Sequence, residues 1–161
     1  DVDQLIIRHK KGVILGVHDA IPVYISAPAV NRLAVSGSGD IYAGNTWKPV
    51  QGSGNISGSG GLYINELLTD SFTIKISGSG EVKANTGTAQ RLNLNISGSG
   101  TIDLRNVQAN EVTTTTSGSG DTYVHAEQML DASISGSGNI WYLGSPSIYT
   151  HISGSGNLRK L

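Results

Sequence analysis

The chain has no cysteine, and its 161 residues include one Met, one Phe, two Trp and four Pro. Without cysteine a disulfide scaffold is excluded, so burial and backbone hydrogen bonding must hold the fold. The lack of thiols does not decide the compartment. Charge is scarce as well. Asp, Glu, Lys and Arg make up 14% of the chain, against roughly a quarter in ordinary domains. The 11 basic and 12 acidic residues leave a net charge of −1, which excludes the basic stripe that nucleic acid requires. Disorder is disfavoured too, because it needs more charge and fewer β-branched residues. No stretch approaches the roughly 18 apolar residues of a membrane span. No basic segment followed by an apolar run opens the chain, so no signal peptide is legible. The opening "DVDQLII" lacks an initiator Met and reads as a processed or trimmed chain. A leader removed on export is compatible with it.

What the chain does have is glycine, 22 in all, and a motif that places much of it. Ser-Gly-Ser-Gly begins at Ser36, Ser57, Ser77, Ser97, Ser117, Ser135 and Ser153, so the steps are 21, 20, 20, 20, 18 and 18 residues. A flexible Gly/Ser linker would not carry a fixed apolar pattern on both sides. Here, with the first Ser as position zero, position −1 reads Val35, Ile56, Ile76, Ile96, Thr116, Ile134 and Ile152. Position +5 reads Ile41, Leu62, Val82, Ile102, Thr122, Ile140 and Leu158. β-branched and aliphatic residues at alternate positions mark strands with one buried face. The motif glycines fall on the same odd positions as the apolar residues. The reading is a corner with glycines on its inside, where a Cβ would strike the opposite wall. The corner pairs are Ser36–Gly37, Ser57–Gly58, Ser77–Gly78, Ser97–Gly98, Ser117–Gly118, Ser135–Gly136 and Ser153–Gly154. Their serines point outward or bond backbone groups.

Length varies only between about +8 and −6, as in "RNVQANE" and "LGSPS", which reads as loop. Each unit is then strand, corner, strand, loop, with an apolar face it cannot bury alone. Stacked units share a continuous core, the logic of a solenoid. The expected fold is all-β: a single-stranded parallel β-helix of about seven coils of 18–21 residues, a rod of roughly 34 Å. A right-handed coil is expected, since the six-residue period of left-handed hexapeptide helices is absent. Residues 1–161 form one domain, with 31–161 carrying the repeats. Residues 1–30 form irregular first coils or a cap, "QLII" and "IPVYIS" being strand-like. "VQGSGNIS" is a weak unit, with Gly52 and Gly54 at inward positions. It is either a thin strand whose missing volume Trp47 fills or an eighth corner. The last strand, "NLRKL", carries Arg159 and Lys160, which discourage edge pairing.

"SGSGDI", "SGSGTIDL" and "SGSGNI", preceded by "LNLNI"-type strands and the lead-in "PVYISAP", resemble the auto-transporter adhesin head GIN domain family. The resemblance covers nearly the whole chain from Leu5 onward. It implies a pectin-lyase-like β-helix from a Gram-negative bacterium. It also implies export to the periplasm, outer membrane or cell surface, and an adhesive role. It brings no catalytic residues with it.

The residues themselves offer little chemistry. His9, His18, His125 and His151 have no metal-ligand spacing. A β-helical lyase needs clustered carboxylates for Ca²⁺ and a basic residue as proton acceptor. Asp40, Glu81 and Asp121 share position +4 but stand about two coils apart. No cofactor and no metal is expected, and the chain reads as no enzyme. One outward column does stand out. Position +6 reads Tyr42, Tyr63, Lys83, Asp103, Tyr123, Trp141 and Arg159. Neighbouring coils bring these side chains about 5 Å apart. Tyr42–Tyr63 and Tyr123–Trp141 can stack, Lys83–Asp103 can pair, and Arg159 can cover Trp141. The column is either a ladder that holds strand register or an aromatic strip that binds a glycan or a cell-surface protein. Coil edges or the same face could also join copies of the chain, or the domain could be a ligand-free assembly module. A polysaccharide-active enzyme is the least favoured reading.

Overall fold

The computed structural model describes residues 4–8, 12 and 21–161. Ten strands follow one another without a helix among the described residues. They are β1 (Arg32–Gly37), β2 (Asp40–Trp47), β3 (Gln51–Gly58), β4 (Gly61–Gly78), β5 (Glu81–Gly98), β6 (Thr101–Gly118), β7 (Asp121–Gly136), β8 (Asn139–Leu143), β9 (Ser147–Gly154) and β10 (Asn157–Lys160). All belong to one sheet, wound so that each coil pairs in parallel with the next. The corners stack in register: Gly37 on Gly58, Gly58 on Gly78, and so on to Gly136 on Gly154. Seven corners enclose six complete turns, one fewer than the seven coils expected, because seven stacked corners bound six intervals.

The segment expected as loop is a third wall. β4, β5 and β6 each run 18 residues from one corner to the next without a break. Glu66–Thr69 pairs with Thr86–Ala89 in register. Leu67, Ala89, Val107, Ala109 and Ala126 are buried there. The period-two alternation restarts on the other parity after position +7, where the chain turns from the second wall into the third. That slip hides the wall from a pattern anchored on the corner. The variable length is absorbed by register shifts within the wall, at Leu104/Gln108 and Ala109/Glu111.

The core follows the expected odd positions on the first two walls. Phe72, Ile74 and Ile76 precede a corner, Val82 and Ala84 follow it, and all five are buried. Burying each large side chain among them contributes about 1.5–3 kcal/mol relative to exposure. Gly52 and Gly54 lie in a regular strand, not an eighth corner. A Cβ on Gly52 would stand 2.6 Å from Pro49 Cγ and 2.8 Å from the Phe72 ring, and one on Gly54 2.8 Å from Leu62 Cδ2. Trp47 packs edge-on against Phe72 at 5.2 Å and donates its indole N–H to the Val30 carbonyl at 2.6 Å. The thin strand thus gives its space to larger neighbours. "IPVYIS" forms no strand, and neither do residues 4–7. Among the described residues β1 pairs only with β3, and these segments add no strand to its other edge. The rest of the expected cap, including His9 and His18, lies outside the described residues.

The two motif glycines serve different ends. The second, as at Gly80, is buried inside the corner, and a Cβ there would stand 2.4 Å from Ile56 Cγ2 of the preceding coil. The first is not inside. Gly98 is half-buried with φ of +127°, and a Cβ on it would approach the Gly78 carbonyl oxygen to 2.4 Å. That carbonyl accepts the Ser99 N–H at 2.9 Å, and the same bond recurs at every step from Ser59 to Ser155. The corner serines expose their side chains and contribute backbone donors.

One corner is flanked by buried hydroxyls. Thr114, Thr116 and Thr122 are almost fully buried, and their Oγ1 atoms have no hydrogen-bond partner. Each such atom costs about 1–3 kcal/mol of desolvation. Thr116→Val keeps the shape and removes the hydroxyl, so stability should rise by about 1 kcal/mol. Gly98→Ala should lower it by at least about 2 kcal/mol, from left-handed strain and the lost corner approach. Urea unfolding of the two variants beside the parent checks both signs.

Candidate functional site

Position +6 lies on the second wall, the short strand run that follows each corner. Its side chains point outward because the alternation keeps +5 and +7 in the core. The pairing registers place Tyr42 against Tyr63, Tyr63 against Lys83, Lys83 against Asp103, Asp103 against Tyr123, Tyr123 against Trp141, and Trp141 against Arg159. All seven expected residues therefore form one continuous column.

Within it the rings stack along the coil axis. Tyr42 and Tyr63 lie 5.0 Å apart with planes at 19°. Tyr123 and Trp141 lie 6.2 Å apart with planes at 6°. Arg159 covers Trp141 at 5.5 Å. The Lys83–Asp103 pair is not formed. Asp103 Oδ1 instead accepts Arg105 Nε at 2.8 Å: two positions along a strand is about 6.6 Å against about 4.8 Å between coils, and the long arginine side chain spans that distance. Lys83 is exposed and has no ion-pair partner among the described residues.

Arg105 was absent from the expected column, yet its guanidinium lies 4.2 Å from the Tyr123 ring centroid. Four successive coils thus contribute Arg105, Tyr123, Trp141 and Arg159 to one stack. Each of its two rings has both faces covered, so ring edges and the guanidinium groups are what the stack shows to solvent. Glu81 is the second missed residue. It accepts the Tyr63 hydroxyl at 3.0 Å. Both sit diagonally, two residues from the directly paired position, and outward parity together with coil register was the signal that could have found them.

The position +4 carboxylates are engaged one by one. Asp40 accepts the Gly61 N–H at 2.7 Å. Asp121 accepts both the backbone and side-chain N–H of Asn139 at 3.1 Å. Among the described residues no three His, Asp or Glu side chains converge. His125 stands beside Glu127 at 3.1 Å, on the third wall, whereas His151 lies on the first, paired with Ser133. No helix of the described residues is long and apolar enough to cross a membrane.

Against this geometry, residues 1–146 match the family described as "Putative auto-transporter adhesin, head GIN domain". The chain belongs to that family. Similar solved structures agree with the fold. A crystal structure of a "putative lipid binding protein" from Parabacteroides distasonis is 34% identical over 83% of this chain and 55% of its own, with a TM-score of 0.80. A "putative adhesin" from Bacteroides fragilis is 31% identical over 84% of this chain and 62% of its own, with a TM-score of 0.77. The chain therefore spans less than two thirds of the length of either structure. No curated protein matches it.

Tyr63, whose hydroxyl donates to Glu81, is a weaker acid than a free tyrosine. The hydrogen bond to Glu81 pushes its pKa from 10.0 up to about 12, helped by burial and by the charges of Glu81 and Asp40. The folded chain then holds this proton more tightly than the unfolded one. The corresponding stability is complete below pH 10 and declines as pH rises towards 12. In an ultraviolet titration of the tyrosines, Glu81→Ala should bring the highest midpoint back towards 10.

Proposed function

We propose that this chain is the non-enzymatic recognition part of an exported or cell-surface protein. It is an adhesin-type domain whose second wall forms a rigid face for a glycan. The observation that carries the reading is the Arg105–Tyr123–Trp141–Arg159 stack, joined on the same face by Tyr42 and Tyr63. Aromatic and guanidinium groups are held in place by their neighbours before any partner arrives, which lowers the ordering cost of binding. Because the inner ring faces are covered, recognition uses ring edges, the Tyr123 hydroxyl and the guanidinium donors. Lys83 and the Asp103 carboxylate supply polar contacts between the two aromatic groups. Membership of the adhesin family supports the adhesive role and export. The engagement of Asp40, Glu81 and Asp121 in local hydrogen bonds supports a binding rather than a catalytic use of this face.

A glycan array probed with the parent and with a Tyr123→Ala/Trp141→Ala variant tests the reading. The parent should bind and the double variant should lose at least about tenfold in affinity, with circular dichroism unchanged. Equal binding by the two would remove the strip from recognition and leave it as a register ladder.

A further inference from the structure

The third wall has a step in it. Where coils shorten from 20 to 18 residues, Leu104 still pairs with Val124, but the next pair is Gln108 with His125. Arg105, Asn106 and Val107 are therefore left without counterparts in the following coil and bulge from the wall. Val107 is buried and anchors the bulge, while Asn106 is exposed. Beside the bulge lies an open groove of about 610 Å³, lined by Asn85, Arg105, Asn106, Gln108, His125 and Leu143 among others.

The groove's chemistry is that of planar polar groups over a partly apolar floor. Asn85, Asn106 and Gln108 each hold a carbonyl acceptor next to an N–H₂ donor. That pairing matches two adjacent hydroxyls on a ring, one donating and one accepting. Leu143 is half-buried at the groove and offers C–H surface. The two basic groups there each face a carboxylate: Arg105 meets Asp103 at 2.8 Å and His125 meets Glu127 at 3.1 Å. Asp103 and Glu127 stand just outside the groove lining, so an anionic ligand reaching for Arg105 or the His125 imidazole would compete with a carboxylate already beside it. Arg105 also links the two sites, since its guanidinium rests on Tyr123 of the strip.

We propose that this groove is a subsite for a neutral, hydroxyl-rich sugar ring, reached from the aromatic strip through Arg105. The proposal rests on the glycan-binding reading above and gives it a charge class. Polymers on the bacterial or host surface that carry mainly uronic acid or sulfate are excluded as its ligands.

The test uses immobilised oligosaccharides of three kinds: neutral hexose and N-acetylhexosamine oligomers, uronic acid oligomers, and sulfated oligomers. The parent chain is compared with Asn106→Ala/Gln108→Ala and with Asn85→Ala on the facing coil. Lys75→Ala, on the first wall, is the control. Expected results are binding to neutral probes alone, at least about tenfold weaker in the double variant and in Asn85→Ala, and unchanged in Lys75→Ala. Thermal midpoints of all four chains establish that the fold is retained. Binding to acidic probes only, or neutral binding that both groove variants keep, overturns the groove proposal and leaves the strip reading standing. Failure of the parent to bind any of the three overturns the proposal together with its glycan-binding premise.

Discussion

The interaction on which this molecule depends is a single backbone hydrogen bond, repeated. At each corner the first glycine's carbonyl accepts an N–H from the second serine of the next coil, at 2.8–3.0 Å. The bond requires the next corner to sit directly over that carbonyl. There is then no room for a Cβ, and φ is positive at the glycine above. In-register corners in turn oblige both adjoining walls to stack residue on residue. The columns of Ile at position −1, of aliphatic residues at +5 and of outward aromatic and charged groups at +6 all follow from it. Solenoids in general draw stability from contacts between neighbours. Here the neighbour contact that sets the register is a main-chain one, and the side chains inherit its spacing.

That dependence explains what could be read from the sequence. The repeat, the parallel stacking, the two walls beside the corner and the identity of the +6 column were legible, because each is fixed by distance from Ser-Gly-Ser-Gly. The third wall was not, because its inward parity is reset after Ala84 or Leu104, and Leu67, Ala89 and Val107 then fall off the pattern. The strand-like "IPVYIS" misled for the opposite reason: β-branched composition favours a strand but does not make one without a ladder partner, and no Ser-Gly-Ser-Gly corner precedes this segment to set its register on β1. In the candidate site, direct neighbours such as Tyr123 and Trp141 were legible from register alone. Glu81 and Arg105 were missed because they act diagonally. Lys83–Asp103 was misjudged because Arg105 reaches the same carboxylate from two residues along its own strand.

The walls divide their tasks. The first and second keep strict register through every coil, and the outward stack of rings and guanidinium groups needs that regularity. The third accepts insertions and deletions, with Arg105–Val107 displaced where a coil shortens. Thr114 and Thr116 close the last 20-residue coil and Thr122 opens the first 18-residue one, so the unpartnered hydroxyls flank the corner at which the coil length changes. Regular walls beside an irregular one give the molecule a constant platform and a variable margin next to it.

Stacking by nearest neighbours also has a mechanical side. A pull on Leu161 would first meet the four residue pairs between β10 and β8, then the eight between β9 and β7. No bond farther in would share the load until those had gone. The chain would peel coil by coil. Its breaking force would be that of one coil, while the work needed to unravel it would grow with the number of coils.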